Sequence, residues 1–298
     1  MSPDSRPQSE AAWTPAPGKS AFPFTSADFH RIAALLRADV GICLTETKAP
    51  LVYARLVKRL RALGLDSFHD YCSLVAGANG GEERRRMAAA LTTNVTRFFR
   101  EPHHFEHLRT EVLPELAQRA RQGGRVRIWS AGCSSGEEPY SIALTLLSVL
   151  PDAADYDVKI LATDIDRDML QRAREGVYSD TGSGAIDPEL RARWMNRSVP
   201  ERGAVCWTVR EPLRKLVAFR ELNLIGDWPM RGPFQAIFCR NTLIYFEPDL
   251  QAEVLRRMRP LLSPGGLIYV GHSERVTDAE AFELAGPTTY MLKRSELG

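Results

Sequence analysis

Apolar positions change their spacing near residue 95 of this 298-residue chain. Before that point they recur every three or four residues, as on one face of a helix. Phe29, Ile32, Leu35 and Leu36 predict a helix that Ser26 caps and Gly41 stops. Val52, Leu56, Leu60 and Leu63 predict a second, begun near Pro50 and ended by Gly64; Phe68, Tyr71, Leu74 and Val75 mark a third, and Met87 and Leu91 a fourth. Beyond residue 95 short apolar runs alternate with helical patterns. Strands are predicted at Val126, Ile128 and Trp129 and at 158–163, 217–222, 234–239 and 267–270, with a last antiparallel edge at 289–293. Helices are predicted around Ile142, Leu144, Leu146 and Leu147 and over 169–175 and 250–262. Such alternation means an α/β, doubly wound, mostly parallel sheet. Residues 176–217 interrupt it with Pro188, Pro200, Pro212, four glycines and a β-like stretch at 204–209, which reads as an inserted subdomain with a small antiparallel sheet.

The predicted organisation is a disordered tail (1–21), an all-helical domain (22–95), a linker carrying site residues (96–125) and the α/β domain (126–298) with its insert at 176–217. The tail holds Pro3, Pro7, Pro15 and Pro17 among Ser, Gln and Ala, too little apolar area to order itself. Hydrophobic content of 44% and charged content of 26% are ordinary for a soluble globular protein. No apolar run approaches a membrane span and no secretory core opens the chain, so a cytoplasmic protein without membrane insertion is expected. The five cysteines contain no C-x-x-C pair, which argues against a disulfide framework or a zinc site. His103 and His107 have helical i, i+4 spacing, but no further ligand lies nearby and no metal is predicted. Net charge of +2 hides one local feature: Lys48, Arg55, Lys58, Arg59 and Arg61 occur with no acidic residue between Thr47 and Leu65. A solvated helix face and a docking surface for an acidic partner both fit that run.

Candidate chemistry centres on RIWSAGCSSGEEPYSIALT, residues 127–145. A strand-like run passes through a small-residue turn into a helix with Glu137, Glu138 and Pro139 in its first turn, where carboxylates and proline are both favourable. Strand, glycine turn and helix hold nucleotide-type ligands at the carboxyl edge of a parallel sheet. The turn reads Gly132-x-x-x-Gly136, however, and two carboxylates stand where a pyrophosphate needs bare N–H groups. A cofactor with no phosphate and a cationic amino group, such as S-adenosylmethionine, fits better. Asp164 closes the second strand, 32 residues after Gly132, where an acidic residue accepts ribose hydroxyls; it is also a possible cap for the next helix, a task Asp166 suits equally. Asn223, Arg240 and Asn241 end further strands.

TTNVTRFFRE, WSAGCSSGEEPYSIA, ATDID, LNL, FCRNTLIYF and GHSE, in this order, resemble the chemotaxis receptor glutamate methyltransferases, the CheR family. The resemblance runs over residues 22–294. It implies a helical domain followed by a Rossmann-like adenosylmethionine-dependent methyltransferase domain with a small inserted antiparallel β-subdomain. It further implies cofactor contacts at Asn94, Thr96, Arg100, Glu138, Asp164, Asn223, Leu224, Arg240 and Asn241, and makes the choice of Glu138 over Glu137. Arg100 and Tyr245 would orient the substrate glutamate. The implied activity is protein-glutamate O-methylation for sensory adaptation, with S-adenosylhomocysteine as the second product. The implied partners are the cytoplasmic domains of methyl-accepting chemotaxis receptors; the acid-free basic stretch points to docking through Arg55, Lys58 and Arg59 on the basic helix, with the inserted subdomain at 176–217 as the next candidate surface. A nucleic-acid or amine methyltransferase is the weaker alternative, because Arg240-Asn-Thr-Leu-Ile-Tyr245 replaces the Asn/Asp-Pro-Pro-aromatic run of enzymes that act on exocyclic amines and the near-zero net charge offers no phosphate-binding surface. A non-catalytic adenosylmethionine-binding adaptor is the other.

Overall fold

The computed structural model describes residues 22–199 and 203–294. The predicted tail, 1–21, lies outside the described residues. The chain divides into two compact units between Thr93 and Asn94.

The first unit is four helices: α1 (Ser26–Val40), α2 (Ala49–Leu63), α3 (Phe68–Ala76) and α4 (Gly81–Leu91). Thr25, not Ser26, caps α1, in a reciprocal box with Asp28. Phe29, Ile32, Leu36, Val52, Leu56, Leu60, Phe68, Tyr71, Val75, Met87 and Leu91 form its buried core. Leu63 and Leu74 keep the helical period but lie at the rim, 37% and 36% exposed.

The basic run is less free than its sequence implies. Arg59 of α2 forms a two-pronged ion pair with buried Glu83 of α4, at 2.9 and 2.6 Å, and the Tyr71 hydroxyl donates to the same carboxylate at 3.0 Å. Burial of Tyr71 and the Glu83 charge push its phenol pKa up. Arg55 reaches the end of α4, where Nη1 donates to the carbonyls of Leu91 and Thr92 at 2.9 and 2.7 Å. Carbonyls there have no partner within the helix, so a cation completes the terminus. Two of the three expected docking residues therefore hold the unit together. Lys58 stays exposed, as do Lys48 and Arg61.

The second unit opens with α5 (Pro102–His107), which passes through one wide π-helical turn (Leu108–Val112) into α6 (Leu113–Arg121). Strand β1 (Val126–Ala131) leads into α7 (Glu137–Val149), then β2 (Val158–Asp164) into α8 (Arg167–Glu175). The insert follows: β3 (Val177–Ser179), α9 (Pro188–Trp194), β4 (Met195–Ser198), β5 (Cys206–Val209) and α10 (Glu211–Lys215). Its strands make the expected small antiparallel sheet, with β5 central. The main sheet resumes with β6 (Val217–Glu221), β7 (Phe234–Cys239), α11 (Pro248–Met258) and β8 (Leu262–Val270), and ends in the hairpin of β9 (Phe282–Gly286) and β10 (Thr289–Leu292).

The seven main strands lie in the order β6-β2-β1-β7-β8-β10-β9, parallel from β6 to β8 and antiparallel thereafter. The last strand is thus not an edge; β9 lies outside it. Chain order reverses at β1, between β2 and β7, which opens a crevice at the carboxyl ends of those strands. Trp129, Phe238 and Tyr269 fill the sheet interior, and Ile142, Leu144 and Leu147 of α7 pack over it.

Candidate functional site

The loop after β1 is shaped by what it touches. Gly132 and Cys133 donate to the carbonyl of Thr163 at 2.8 and 2.9 Å, so the loop turns onto the end of β2. Gly132 adopts φ 80°, and a Cβ there would stand 2.3 Å from the Thr242 hydroxyl, so backbone conformation and space both require glycine. Gly136, at φ 95°, starts α7 and presents Glu137 and Glu138 in its first turn.

Around that loop the sequence-predicted residues fall into two groups. The first gathers at the ends of β2 and β6. Asp164 accepts the backbone N–H of Ser134 at 2.7 Å and of Asp166 at 2.9 Å. It does not cap α8; Asp166 does, accepting from Asp168 and Met169. A carboxylate has about four acceptor positions, so the two N–H donors leave Asp164 capacity for more. Burial raises its pKa, and the same N–H groups oppose the rise. Asn94 donates to Asp166 at 2.8 Å, and its carbonyl accepts the Ser134 hydroxyl at 3.2 Å. Leu222 donates to the Asp164 carbonyl at 2.9 Å, which brings the following Asn223 and Leu224 to the same edge. Asn223 accepts from the N–H of Ile225, and Arg257 of α11 donates to the Leu224 carbonyl.

The second group joins α7 to the end of β7. Glu138 accepts the Ser130 hydroxyl at 2.7 Å and Arg240 Nη1 at 2.9 Å. Burial raises its pKa, opposed by the Arg240 charge and these bonds. Arg240 is 5% exposed, gives Nη2 to Glu101 at 3.1 Å and to the carbonyl of Arg100, and leaves its buried Nε without a partner. Asn241, at φ 55°, donates its backbone N–H to Glu274 at 2.8 Å. Glu274 also accepts from Gly271 at 2.6 Å and Ile244 at 3.1 Å, which folds the turn leading to Tyr245 over the end of β8.

Arg100 is half-buried, and its guanidinium donates from Nη1 to the carbonyl of Val95 at 2.9 Å; no carboxylate pairs with it among the described residues. Thr96 lies between Asn94 and Arg100, half-buried, as is Tyr245 in its short 3-10 turn (Leu243–Tyr245). Nδ1 of His107 lies 3.0 Å from the Tyr269 hydroxyl. Among the described residues no cluster of three potential metal ligands forms.

Sequence reasoning missed Glu101, Ser130, Ser134, Asp166 and Glu274 as parts of this site. The signal for Glu101 is indirect: a buried arginine at a strand end needs carboxylate partners, and one Glu138 leaves an Nη unmatched. Taken together, two carboxylates at strand and helix ends, a glycine loop and one guanidinium without a carboxylate partner suit a ligand that carries hydroxyls, positive charge and a carboxylate but no phosphate.

Comparison with known proteins agrees with that chemistry. Residues 94–291 match the model of the "CheR methyltransferase, SAM binding domain", and residues 27–92 that of the "CheR methyltransferase, all-alpha domain". A probable chemotaxis protein methyltransferase of Rhizobium etli is 51% identical over 89% of this chain and 99% of its own length. Chemotaxis protein methyltransferase 2 of Pseudomonas aeruginosa is 44% identical over 93% and 98%. The chemotaxis protein methyltransferase of Escherichia coli is 43% identical over 91% and 92%.

Proposed function

We propose, from the premise that this chain belongs to the CheR methyltransferase family, that its strand-end crevice binds adenosylmethionine and esterifies glutamate side chains of chemotaxis receptors. Membership makes the chain an S-adenosylmethionine-dependent protein methyltransferase of chemotaxis. The residue roles and the receptor glutamate are the proposal.

The observation that carries it is the pair of carboxylates at the crevice, buried Asp164 and half-buried Glu138, where a phosphate-bearing ligand would need bare N–H groups. Asp164 has acceptor positions left for ribose hydroxyls, and the glycines at 132 and 136 keep side chains out of the loop. Asn94, Thr96, Asn223 and Leu224 would line the nucleoside end, and Glu138, Arg240, Asn241 and Arg100 the amino-acid end. The bound cofactor supplies a methyl group activated by a sulfonium. The acceptor needs no general base, since a glutamate of pKa about 4.3 is already ionised at neutral pH. What the protein provides is position and exclusion of water. Arg240 is neutralised by Glu101 and Glu138, which leaves Arg100 as the guanidinium that takes an incoming carboxylate, with Tyr245 beside the same path.

Receptor docking follows from charge. Lys48, Lys58 and Arg61 are the exposed cations of the basic run, and the inserted three-stranded sheet is a second surface for the receptor. Opposite charge raises association rate and fixes orientation, with screening over about 8 Å at physiological salt. Lys58→Glu with Arg61→Glu is expected to lower receptor methylation and leave cofactor affinity unchanged; normal methylation with a normal salt response would remove this surface. A cytoplasmic location follows from the proposed substrate; no helix among the described residues is long and apolar enough to cross a membrane.

The test of the function is transfer of labelled methyl from adenosylmethionine to purified receptor cytoplasmic domains. Label released by mild base supports an ester. Base-stable label would indicate amine methylation, and cofactor binding without transfer would indicate an adaptor.

A further inference from the structure

Glu101 stands where three separate segments meet. It follows Arg100 and precedes α5, whose first residue is Pro102. Its backbone lies at φ 58°, ψ 68°, a left-handed conformation that a residue with a side chain seldom adopts unless its surroundings hold it there. One carboxylate oxygen takes Arg240 Nη2 at 3.1 Å. The other takes the Asn241 amide at 3.4 Å and, from the loop after β8, the backbone N–H of His272 at 3.3 Å and its Nδ1 at 3.1 Å. Beneath it lies His104, fully buried, whose Nδ1 has no hydrogen-bond partner and sits 3.5 Å from the same carboxylate. The side chain of Glu101 is 11% exposed, against 70% for that of His272.

Nothing in this arrangement places Glu101 against an acceptor or a methyl group. Its oxygens are aimed at the side chains of Arg240 and Asn241, and its own chain direction sets Arg100, whose carbonyl Arg240 also grips. Arg240 alone on Glu138 would keep one anchored edge and a freely turning plane; the second carboxylate fixes the plane. A guanidinium fixed by two carboxylates presents its remaining edge, and the unpartnered Nε, in one direction.

We propose that Glu101 is a positioning residue for cofactor binding, which locks the Arg100 segment, the Arg240–Asn241 turn and the His272 loop into one arrangement before adenosylmethionine enters. This rests on the reading that Arg240 and Asn241 face the cofactor. Preorganisation of this kind raises affinity by removing the cost of ordering side chains on binding.

The experiment compares the full chain with Glu101→Gln, Arg240→Ala and His272→Ala, by calorimetry with S-adenosylhomocysteine, thermal unfolding, and initial rates on a receptor cytoplasmic fragment. Glu101→Gln keeps size and removes charge. The expected result is a rise in Kd of about tenfold, matched by the KM for adenosylmethionine, as one charge-assisted contact is lost. The KM for the fragment should stay near the unmodified value while the KM for adenosylmethionine rises, a split that a merely structural role would not give. An unchanged Kd in folded Glu101→Gln, with Arg240→Ala weakened, overturns the proposal alone. Unchanged Kd in both overturns the proposal and the placement of Arg240 together. Should Glu101→Gln not fold, exposed His272→Ala decides: it removes one of the groups holding Glu101, and a Kd equal to that of the unmodified chain overturns the proposal.

Discussion

Reversing Arg59 to Glu separates two roles that a basic helix can have. If Arg59 served only as a docking charge, Arg59→Glu would leave the fold intact and slow association with an acidic partner. The structure instead pairs it with Glu83, whose side chain is 8% exposed, through two bonds, while Arg59 itself is 24% exposed. Removing one partner of a buried pair typically costs about 3–5 kcal/mol, because the remaining charge is left buried. Partial exposure of Arg59 moves the estimate for Arg59→Ala to the low end, about 3 kcal/mol, and a second carboxylate in its place adds repulsion. In a small helical domain each kcal/mol shifts the midpoint by about 4–8 °C, so Arg59→Glu should lower the unfolding of the first unit by about 12 °C or more. Scanning calorimetry with far-ultraviolet dichroism on the full chain measures it. Lys58→Glu, at an exposed neighbouring position, is the control and should stay within about 0.5 kcal/mol of the unmodified chain. Arg59→Glu that unfolds with the control, and yet methylates receptors poorly, would refute this reasoning and restore Arg59 to the docking surface.

Asp164→Ala should weaken adenosylmethionine or adenosylhomocysteine by about 1–3 kcal/mol, the cost of unpaired hydroxyls; unchanged affinity by calorimetry would take Asp164 out of the site. Arg100→Ala should cut methyl transfer far more than it lowers stability, since its guanidinium holds only the Val95 carbonyl; a large fall in the midpoint with normal turnover of the folded fraction would make it structural. Burial resists ionisation of Glu101, but the Arg240 charge and the His272 and Arg240 bonds outweigh it and bring the carboxyl down to about 2. Its folded pKa lies below its unfolded one, so its contribution is complete above about pH 4.5 and fades as pH falls toward 2. Through that window the unmodified chain should lose on the order of 3 kcal/mol more than Glu101→Gln, read from acid titrations of urea midpoints.

What the sequence made legible follows from how local each signal is. Buried parallel strands such as Phe234–Cys239 are short apolar runs closed by polar residues, so their ends, and the site residues on them, can be read directly. Edge strand Phe282–Gly286 has Glu283 and Leu284 exposed and carries no such run, so the pattern does not show it and the last strand reads as the edge. Thr25 and Ser26 are adjacent capping residues, and only the reciprocal bond to Asp28 tells them apart. The basic run looked acid-free because Glu83, which answers Arg59, lies 24 residues away on another helix. Glu101 was hidden for the same reason: its partner Arg240 is 139 residues along the chain. Local pattern gives elements and their ends, whereas ion pairs between elements emerge only from the fold.

The central claim is that this crevice delivers a methyl group to a glutamate carboxylate. Its most direct test is to methylate a receptor cytoplasmic fragment with isotope-labelled adenosylmethionine and map the label by peptide mass spectrometry, with Arg100→Ala in parallel. The account predicts labelled methyl on glutamate side chains, released by mild base and strongly reduced with Arg100→Ala. Label on lysine, asparagine or glutamine, or glutamate labelling that survives Arg100→Ala at the full rate, would contradict it.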